Sequence, residues 1–300
     1  MFEKRTDLAL EVHELRGKDS GITVDEQFID GVKVTRAFIA LGEGERLSGK
    51  PSGNYITLET GKVWQIDRDS FEKRALILSD EIFKLMPVGN GCVLVVGLGN
   101  SEITPDSLGP RTVKQLLVTR HIESIDMSLF NSAGFGSVAA ISAGVLAQTG
   151  IESAEIIKSV CAAINPKCVI AIDSLASRRL NRLATTVQLS DGGISPGSGV
   201  SNKRAEISKK TLGVPVISVG VPTVVDAATL AYDLLEEHSG EDVDGFSEVM
   251  EKILEGNGKD MFVTPKDNDI IAKSVSKLLA TAINIAVHRM SVYEINDYLS

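Results

Sequence analysis

The middle of the chain alternates between short, uninterrupted apolar runs and segments whose apolar residues have helical spacing. The runs cover residues 92–97, 168–172 and 214–220, and such runs are typical of strands that are buried on both faces of a sheet. Strands that alternate with helices imply a largely parallel sheet. We therefore predict an α/β fold whose central sheet is mostly parallel and is flanked by helices.

The flanking segments show other patterns. Residues 1–20 are polar and charged, and we expect them to be loosely attached. Apolar and polar positions alternate over residues 32–39, which predicts that residues 21–66 form strands of a small peripheral β layer. Residues 238–269 are rich in Gly and charged residues, so we expect a loop-rich excursion there. Helices are predicted over residues 70–85, 152–163, 225–236 and 270–288.

Composition and charge limit the classes of function. The chain has 300 residues, 43% of them hydrophobic, and a formal net charge of −9. This charge disfavours direct binding to nucleic acid, which needs a surplus of Lys and Arg. The apolar runs are shorter than the roughly 20 residues of a membrane span and no secretory signal is found, so we expect no membrane partner and a cytoplasmic location. The three cysteines, Cys92, Cys161 and Cys168, form no metal-ligand pairs, and we expect reduced, buried thiols at Cys92 and Cys168, which lie in apolar runs.

Glycine-rich segments match known motifs only in part. Gly97 and Gly99 follow a predicted strand, but Glu102 stands where the dinucleotide-binding motif has its third glycine. The loop over residues 192–199 is not followed by Gly-Lys-Ser/Thr, and its Gly-x-Ser-x-Gly match contains Pro196, which has no N–H for an oxyanion hole. The sequence also has no His-Glu-x-x-His and no Cys-x-x-Cys motif. We therefore expect no metal ion and no cofactor.

Two aspartates at predicted strand ends are the candidates for chemistry. Asp106 lies just beyond the first buried strand, and Asp173 ends the second. Ligands of open α/β sheets bind outside the carboxyl ends of the strands, so both carboxylates would face one crevice if these strands are neighbours. Structural alternatives stay open, because Asp106 could be a helix N-cap and Asp173 could have a structural role. The four histidines are expected at the surface: His13, His121, His238 and His288.

A pair of carboxylates at one site favours acid–base hydrolysis. Like charges a few ångströms apart cannot both be ionised, so the pair retains one proton. The ionised aspartate can then deprotonate a water molecule while the protonated one donates a hydrogen bond to a carbonyl oxygen. The sequence does not assign these two roles between Asp106 and Asp173.

Longer motifs of the chain resemble those of the spore germination proteases, and they occur in the same order. The resemblance runs from the N-terminus to about residue 235 and combines several motifs, which makes it specific. The motifs are Arg5-Thr6-Asp7-Leu8-Ala9, Gly97-Leu98-Gly99-Asn100, Thr104-Pro105-Asp106-Ser107-Leu108-Gly109-Pro110 and the segments over residues 147–152, 171–178, 192–204 and 220–227.

The resemblance implies an aspartic-type endopeptidase that degrades small acid-soluble spore proteins during germination, in the spore core. It assigns catalysis to Asp106 and Asp173 and implies a supporting role for Arg178. The family's fold is similar to that of the hydrogenase maturation proteases, which use carboxylates in similar places to bind nickel. A nickel-binding maturation protease is therefore one alternative, and a non-catalytic or nucleotide-binding α/β module is another.

The resemblance also implies that the chain is made as an inactive precursor. The precursor would remove its own propeptide, residues 1–7, by cleavage between Asp7 and Leu8. Residues 8–300 would then form a single α/β peptidase domain, with the loop-rich excursion as part of it. The resemblance further implies a homotetramer.

Overall fold

The computed structural model describes residues 6–17, 21–197, 204–239 and 261–299, and a nine-stranded sheet forms its centre. The strand order is β1-β2-β3-β7-β8-β6-β4-β5, and β9 pairs with the C-terminal end of β8. The strands are β1 Ile22–Ile29, β2 Val32–Ile39, β3 Gly53–Glu59, β4 Val93–Leu98, β5 Val138–Gly144, β6 Cys168–Ser177, β7 Thr186–Ser190, β8 Val216–Asp226 and β9 Phe262–Val263.

Helices cover both faces of the sheet. Ile170 of β6 packs in one core cluster and Ala171 in another, because successive side chains of a strand point to opposite faces. The helices are α1 Ala9–Arg16, α2 Glu43–Ser48, α3 Arg68–Leu85, α4 Leu108–Val113, α5 Arg120–Ile125, α6 Met127–Ser132, α7 Leu146–Thr149, α8 Ser153–Ile164, α9 Lys209–Leu212, α10 Ala227–Ser239, α11 Asn268–His288 and α12 Val292–Leu299. The four predicted helices correspond to α3, α8, α10 and α11, which confirms the expectation of a sheet flanked by helices.

Four neighbouring strands, β8, β6, β4 and β5, run parallel, and we call them the parallel half of the sheet. Every residue of β4 is buried, as expected for a strand with helices on both sides. The three apolar runs of the sequence form β4, β6 and β8. The prediction of an α/β fold with these runs as buried parallel strands is therefore confirmed.

Strands β1, β2, β3 and β7 form an antiparallel half, and the short strand β9 pairs antiparallel with β8. Among the described strands five pairings are antiparallel and three are parallel, so the sheet is mixed and the prediction of a mostly parallel sheet is wrong. The reason is β7: the chain turns back after β6 without a crossover helix, and β7 pairs antiparallel with both β3 and β8. The predicted peripheral layer over residues 21–66 is thus continuous with the central sheet.

Helix α11 is the one described helix with the length and hydropathy of a membrane span. The mean hydropathy of its apolar window is 1.5, and 67% of that window is buried inside the fold. Leu278, Leu279 and Ile283 of α11 pack in the same core cluster as Leu78 and Ile82 of α3. A core helix that is buried on several sides has this composition without crossing a membrane.

His288, at the end of α11, is buried, so the prediction of a surface position is wrong for this histidine. Its Nδ1 accepts a hydrogen bond from the N–H of Gly136 at 3.2 Å, and its Nε2 lies 3.0 Å from the carbonyl oxygen of Leu117. These partners fit a neutral ring with the proton on Nε2. Burial lowers the pKa of His288, and the residue joins α11 to the loops beside β5.

The N-terminal segment is packed against the sheet over its described part. Residues 1–20 were expected to be loosely attached, but Ala9–Arg16 is a helix, and both Leu8 and Ala9 are completely buried. This expectation is therefore wrong for residues 6–17, while residues 1–5 and 18–20 lie outside the described residues. Most of the predicted excursion, residues 240–260, also lies outside them.

Candidate active site

The two predicted aspartates lie at the carboxyl ends of adjacent parallel strands. β4 and β6 are direct neighbours, with Gly97 of β4 opposite Ile172 of β6. Asp173 is the next residue of β6, and Asp106 ends a short 3-10 helix that follows β4. The 3-10 helix that carries Asp106 contacts β6, and both burial and the charge of Asp106 raise the pKa of Asp173. The structure therefore brings both residues to the same edge of the sheet.

Glycines allow the turn after β4 to lie directly on the strands. Gly99 has a φ of +101°, and a Cβ there would overlap the main-chain oxygen of Asp106. A Cβ on Gly109 would lie 2.6 Å from the nitrogen of Leu98 and 2.7 Å from the oxygen of Ile172. Side chains at either position would push the turn away from the sheet. The glycines of the two motifs thus set the position of Asp106.

Asp106 is held by the turn that precedes it. Its Oδ2 accepts a hydrogen bond from the N–H of Asn100 at 2.8 Å. Burial raises the pKa of Asp106, and this hydrogen bond opposes the shift. The alternative that Asp106 caps the following helix is wrong, because Ser107 occupies the N-cap position of α4. The carboxylate is therefore free of a capping role.

Asn100 links this turn to α7. Its Oδ1 accepts hydrogen bonds from the N–H of Glu102 at 2.9 Å and from Nε2 of Gln148 at 2.7 Å. A side chain with these two partners fixes the backbone N–H that holds Asp106. Asn100 therefore positions one carboxylate of the pair.

Asp173 is 5% exposed. Its Oδ1 accepts a hydrogen bond from the N–H of Ser174 at 2.9 Å. Burial raises its pKa well above the usual range of an aspartate, and the charges of Asp106 and Asp7 raise it further. A buried carboxyl group with two acidic neighbours retains its proton more readily than an aspartate side chain in water.

The N-terminal segment runs along the end of β6, beside Asp173. The N–H of Asp7 donates to the carbonyl oxygen of Ala176 at 2.9 Å, and Oδ2 of Asp7 accepts from the N–H of Ala176 at 2.9 Å. Nζ of Lys50 donates to the carbonyl oxygen of Thr6 at 3.2 Å. Burial lowers the pKa of Lys50, and the charges of Asp7 and Glu11 oppose this shift. The acidic side chain at position 7 therefore has the N–H of Ala176 as a hydrogen-bond donor and the amino group of Lys50 nearby.

The next residues are held by β7 and by the segment after β6. The N–H of Ala9 donates to Oε1 of Gln188 at 2.8 Å. The buried carboxylate of Glu11 accepts from the N–H of Arg178 at 2.7 Å and from that of Arg179 at 3.1 Å. It also accepts from the hydroxyl of Thr6. The peptide between Asp7 and Leu8 is thus fixed on both sides, along the end of β6.

Arg178 was predicted to have a supporting role. Its guanidinium Nε lies 2.9 Å from Oδ1 and 2.8 Å from Oδ2 of Asp233, on α10. Its backbone N–H binds Glu11, as described above. Arg178 therefore joins the end of β6 to α10 and to the N-terminal segment, and a supporting role for it stays a prediction.

Sequence reasoning missed Lys50, Glu11 and Gln188. Each lies in a segment without a recognised motif for catalysis, and its partner is distant along the chain. Gln188 stands 179 positions from Ala9, and Glu11 stands 167 positions from Arg178. The one available signal was the position of Glu11 close to the predicted cleavage point. Only the three-dimensional pairing of β7 and β8 brings Gln188 to the site.

The fold and the site together define an α/β protein with two carboxyl groups, and an extended peptide beside them, at the carboxyl ends of parallel strands. The chain belongs to the germination protease family, whose profile matches residues 3–246. It is therefore a protease with a role in spore germination.

Individual members of this family resemble the chain over almost its whole length. It is 44% identical to the germination protease of Caldanaerobacter subterraneus subsp. tengcongensis, and the alignment covers 94% of each chain. It is 40% identical to the germination protease of Clostridium acetobutylicum over 100% of both chains. Identity to the germination protease of Geobacillus sp. is 35%, over 96% of this chain and 94% of that relative.

Proposed function

We propose that this protease is an aspartic-type endopeptidase in which Asp106 and Asp173 perform acid–base catalysis. The observation that supports this most is the burial of Asp173 beside Asp106, which raises the pKa of Asp173 well above its usual range. Asp173 is then the residue that keeps a proton and donates it to a carbonyl oxygen. Asp106, which is hydrogen-bonded to a backbone N–H, is the base.

The proposed reaction has no covalent intermediate. Asp106 removes a proton from a water molecule, whose oxygen bonds to the carbonyl carbon of the scissile peptide, while Asp173 gives its proton to the carbonyl oxygen. The C–N bond then breaks, the leaving nitrogen takes the proton that Asp106 carries, and the hydroxyl proton returns to Asp173. The products are a carboxyl group and an amine, and the pair again holds one proton.

The N-terminal segment is the first substrate in this proposal. Its Asp7–Leu8 peptide lies at the end of β6, where Asp7 exchanges two hydrogen bonds with Ala176. Before cleavage the segment occupies the crevice and keeps the precursor inactive. Cleavage releases residues 1–7 and leaves the site open to other chains. The precursor is thus a zymogen that processes itself.

The later substrates are small acid-soluble spore proteins, which the enzyme degrades in the spore core during germination. The family supports this choice of substrate, and the residues around position 7 support an acidic residue before the cut. The amino group of Lys50 donates to the carbonyl oxygen of Thr6 beside Asp7, and the buried site of Leu8 suits an apolar residue after the cut. A homotetramer without a cofactor is the assembly that the family resemblance suggests.

The nickel-binding alternative lacks a ligand set in the described part of the chain. No group of three or more His, Cys, Asp or Glu side chains among those residues is placed to hold a metal ion. The nucleotide-binding alternative also loses support, because Gly97 packs against the backbone of Gly109 and Gly99 packs against Asp106, so neither glycine faces a space for a phosphate. Neither alternative is favoured by a specific observation.

The test is cleavage of a small acid-soluble spore protein in the presence of a chelator, followed by intact-mass analysis. We expect the wild type to produce discrete fragments that end in an acidic residue. Asp106→Asn and Asp173→Asn should each lose about 10³-fold or more in rate, because one member of the acid–base pair is gone. Asp80→Asn, on the exposed side of α3, is the matched control and should cut normally.

Two outcomes would contradict the proposal. Normal cutting by both dyad variants would mean that other residues perform the chemistry. Loss of the wild-type activity in chelator, with recovery on addition of nickel or zinc, would favour a metal-dependent reaction instead.

A further inference from the structure

Gln188 contacts both sides of the peptide bond between Asp7 and Leu8. Its Nε2 donates to the carbonyl oxygen of Asp7 at 3.3 Å, and its Oε1 accepts from the N–H of Ala9 at 2.8 Å. The carbonyl of Asp7 is the carbonyl of the proposed scissile bond. Gln188 is therefore the described side chain with a hydrogen bond to the oxygen on which negative charge would develop.

The orientation of the Gln188 amide follows from its partners. An N–H group needs an acceptor and a carbonyl oxygen needs a donor, so the amide oxygen must face Ala9 and the amide nitrogen must face Asp7. The side chain is 7% exposed, so water competes little for these bonds. Both contacts are to the backbone of the peptide, and they do not depend on its side chains.

The sheet places Gln188 in one row with Asp173. Gln188 of β7 lies opposite Gly220 of β8, and Gly220 lies opposite Asp173 of β6. Residues in one row of a sheet project from the same face, and two strand spacings separate the outer residues by about 10 Å. The middle residue of the row has no side chain, and Leu175 leans into that space. Gln188 and Asp173 therefore flank Gly220 in one row, on the same face of the sheet.

We propose that Gln188 is a catalytic residue that binds the scissile carbonyl oxygen and the N–H of the second residue after the cut. This proposal rests on the proposed function, because it takes the Asp7–Leu8 peptide as a substrate of the aspartate pair. The amide N–H stabilises the negative charge on the oxygen in the transition state, in addition to the proton from Asp173. The bond to Ala9 fixes the register of the peptide.

The test compares the full-length chain with Gln188→Glu and Gln188→Met, and intact mass is used to follow the release of residues 1–7 with time. Gln188→Glu keeps the shape and the acceptor for Ala9 but replaces the donor to Asp7, so we expect a loss of about 10²-fold in the first-order rate. Gln188→Met removes both bonds, and we expect a loss at least as large. Gln115→Met is the control, since the Gln115 amide also donates two hydrogen bonds, to the carbonyl oxygen of Arg111 and to the hydroxyl of Ser276, and neither partner belongs to the N-terminal segment.

A second readout separates catalysis from docking of the peptide. In the uncut Asp173→Asn background, hydrogen exchange at the Ala9 amide should stay slow with Gln188→Glu and become faster with Gln188→Met. A Gln188→Glu chain that releases residues 1–7 at a rate within about 2-fold of the wild type would overturn the proposal, because a lost oxyanion donor costs far more. If Asp173→Asn alone also releases residues 1–7, the proposed function fails instead, and the two failures are thus distinguishable.

Discussion

The two halves of the sheet contribute different things to the site. The parallel half carries the aspartates, Asp106 beyond the end of β4 and Asp173 on β6. The antiparallel half carries Gln188 on β7, and the loop before β3 carries Lys50. Both of these residues bind the backbone of the N-terminal segment. The groups proposed for chemistry are thus on one half of the sheet, and groups that hold the peptide are on the other.

This difference shows why the mixed sheet matters for function. Parallel strands end at the same edge, where the turns between strand and helix can hold buried carboxyl groups. An antiparallel neighbour such as β7 brings a strand interior to that edge, and its side chains can reach a peptide that lies across the strand ends. Gly220 forms the boundary between the halves, since it pairs with Asp173 on one side and with Gln188 on the other.

The largest expected effect comes from a substitution in the turn after β4, in the parallel half of the sheet. Gly99→Ala places a Cβ against the main-chain oxygen of Asp106 at a φ of +101°, so the turn must move or the chain must unfold. We expect the free energy of unfolding to fall by about 3 kcal/mol or more, with loss of cleavage. Urea denaturation and intact mass would measure these effects.

Gly150→Ala is the matched control for that change. Gly150 also has a positive φ, +71°, but a Cβ there has no neighbour within 4 Å. Gly150→Ala should lower the free energy of unfolding by about 1 kcal/mol, because only the backbone conformation opposes the new side chain. Equal costs at the two positions would show that the close approach of Gly99 to Asp106 is not a constraint.

A smaller effect is expected where the N-terminal segment is anchored. Glu11→Gln removes a buried negative charge that accepts two backbone N–H groups and pairs with Arg182 at 3.2 Å. We expect a loss of about 2 kcal/mol in the free energy of unfolding of the full chain, because hydrogen bonds to a charged group are stronger than neutral ones. Slower release of residues 1–7 should accompany it.

Glu14→Gln provides the comparison for Glu11, since Glu14 pairs with the same arginine but is 33% exposed. The expected cost is below about 1 kcal/mol, as for other exposed ion pairs. A larger loss for Glu14→Gln than for Glu11→Gln, in urea denaturation, would mean that the buried carboxylate does not anchor the segment.

The smallest expected effect is on the pH dependence of stability, and it tests whether the pKa of Asp173 is raised in the folded protein. Its pKa is raised in the folded protein, so the unfolded chain binds fewer protons at pH values between the two pKa values. The contribution of Asp173 to the free energy of unfolding therefore falls as the pH rises. The fall begins near the pKa of Asp173 in the unfolded chain and continues through its raised pKa in the folded protein. Asp173→Asn, which carries no charge, should be more stable than the wild type at pH 7, by about 1 kcal/mol or more.

At pH 3 the two proteins should unfold at nearly the same urea concentration, because the wild-type carboxyl group is then protonated in both states. Asp80→Asn should leave the stability within about 0.5 kcal/mol at either pH. Destabilisation by Asp173→Asn at pH 7 would indicate that the charged form of Asp173 is the one that the fold favours.

The sequence predicts the parallel half well and the antiparallel half poorly, for physical reasons. Strands buried on both faces must be apolar throughout, so β4, β6 and β8 are visible as runs, and their ends indicate Asp106 and Asp173. β7 is five residues long and has only two apolar side chains, Val187 and Leu189. Its antiparallel direction depends on contacts with β3 and β8 that no local pattern contains.

The sequence also does not predict the partners of the N-terminal segment, because these partners are distant along the chain. Polar, charged residues at a chain end are typical of a loose segment, and Glu11 fits that pattern by composition. In the structure its charge is neutralised by backbone N–H groups and by an arginine from distant positions. Burial of such a residue depends on partners from elsewhere in the fold.

The most direct test of the central claim is the mass of the full-length chain after incubation, for the wild type, Asp106→Asn and Asp173→Asn. The claim is that aspartates of the parallel half cut a peptide held in part by the antiparallel half. It predicts that the wild type loses residues 1–7 by cleavage between Asp7 and Leu8, while both variants keep their full mass and remain folded. Loss of residues 1–7 from either variant at the wild-type rate would contradict it.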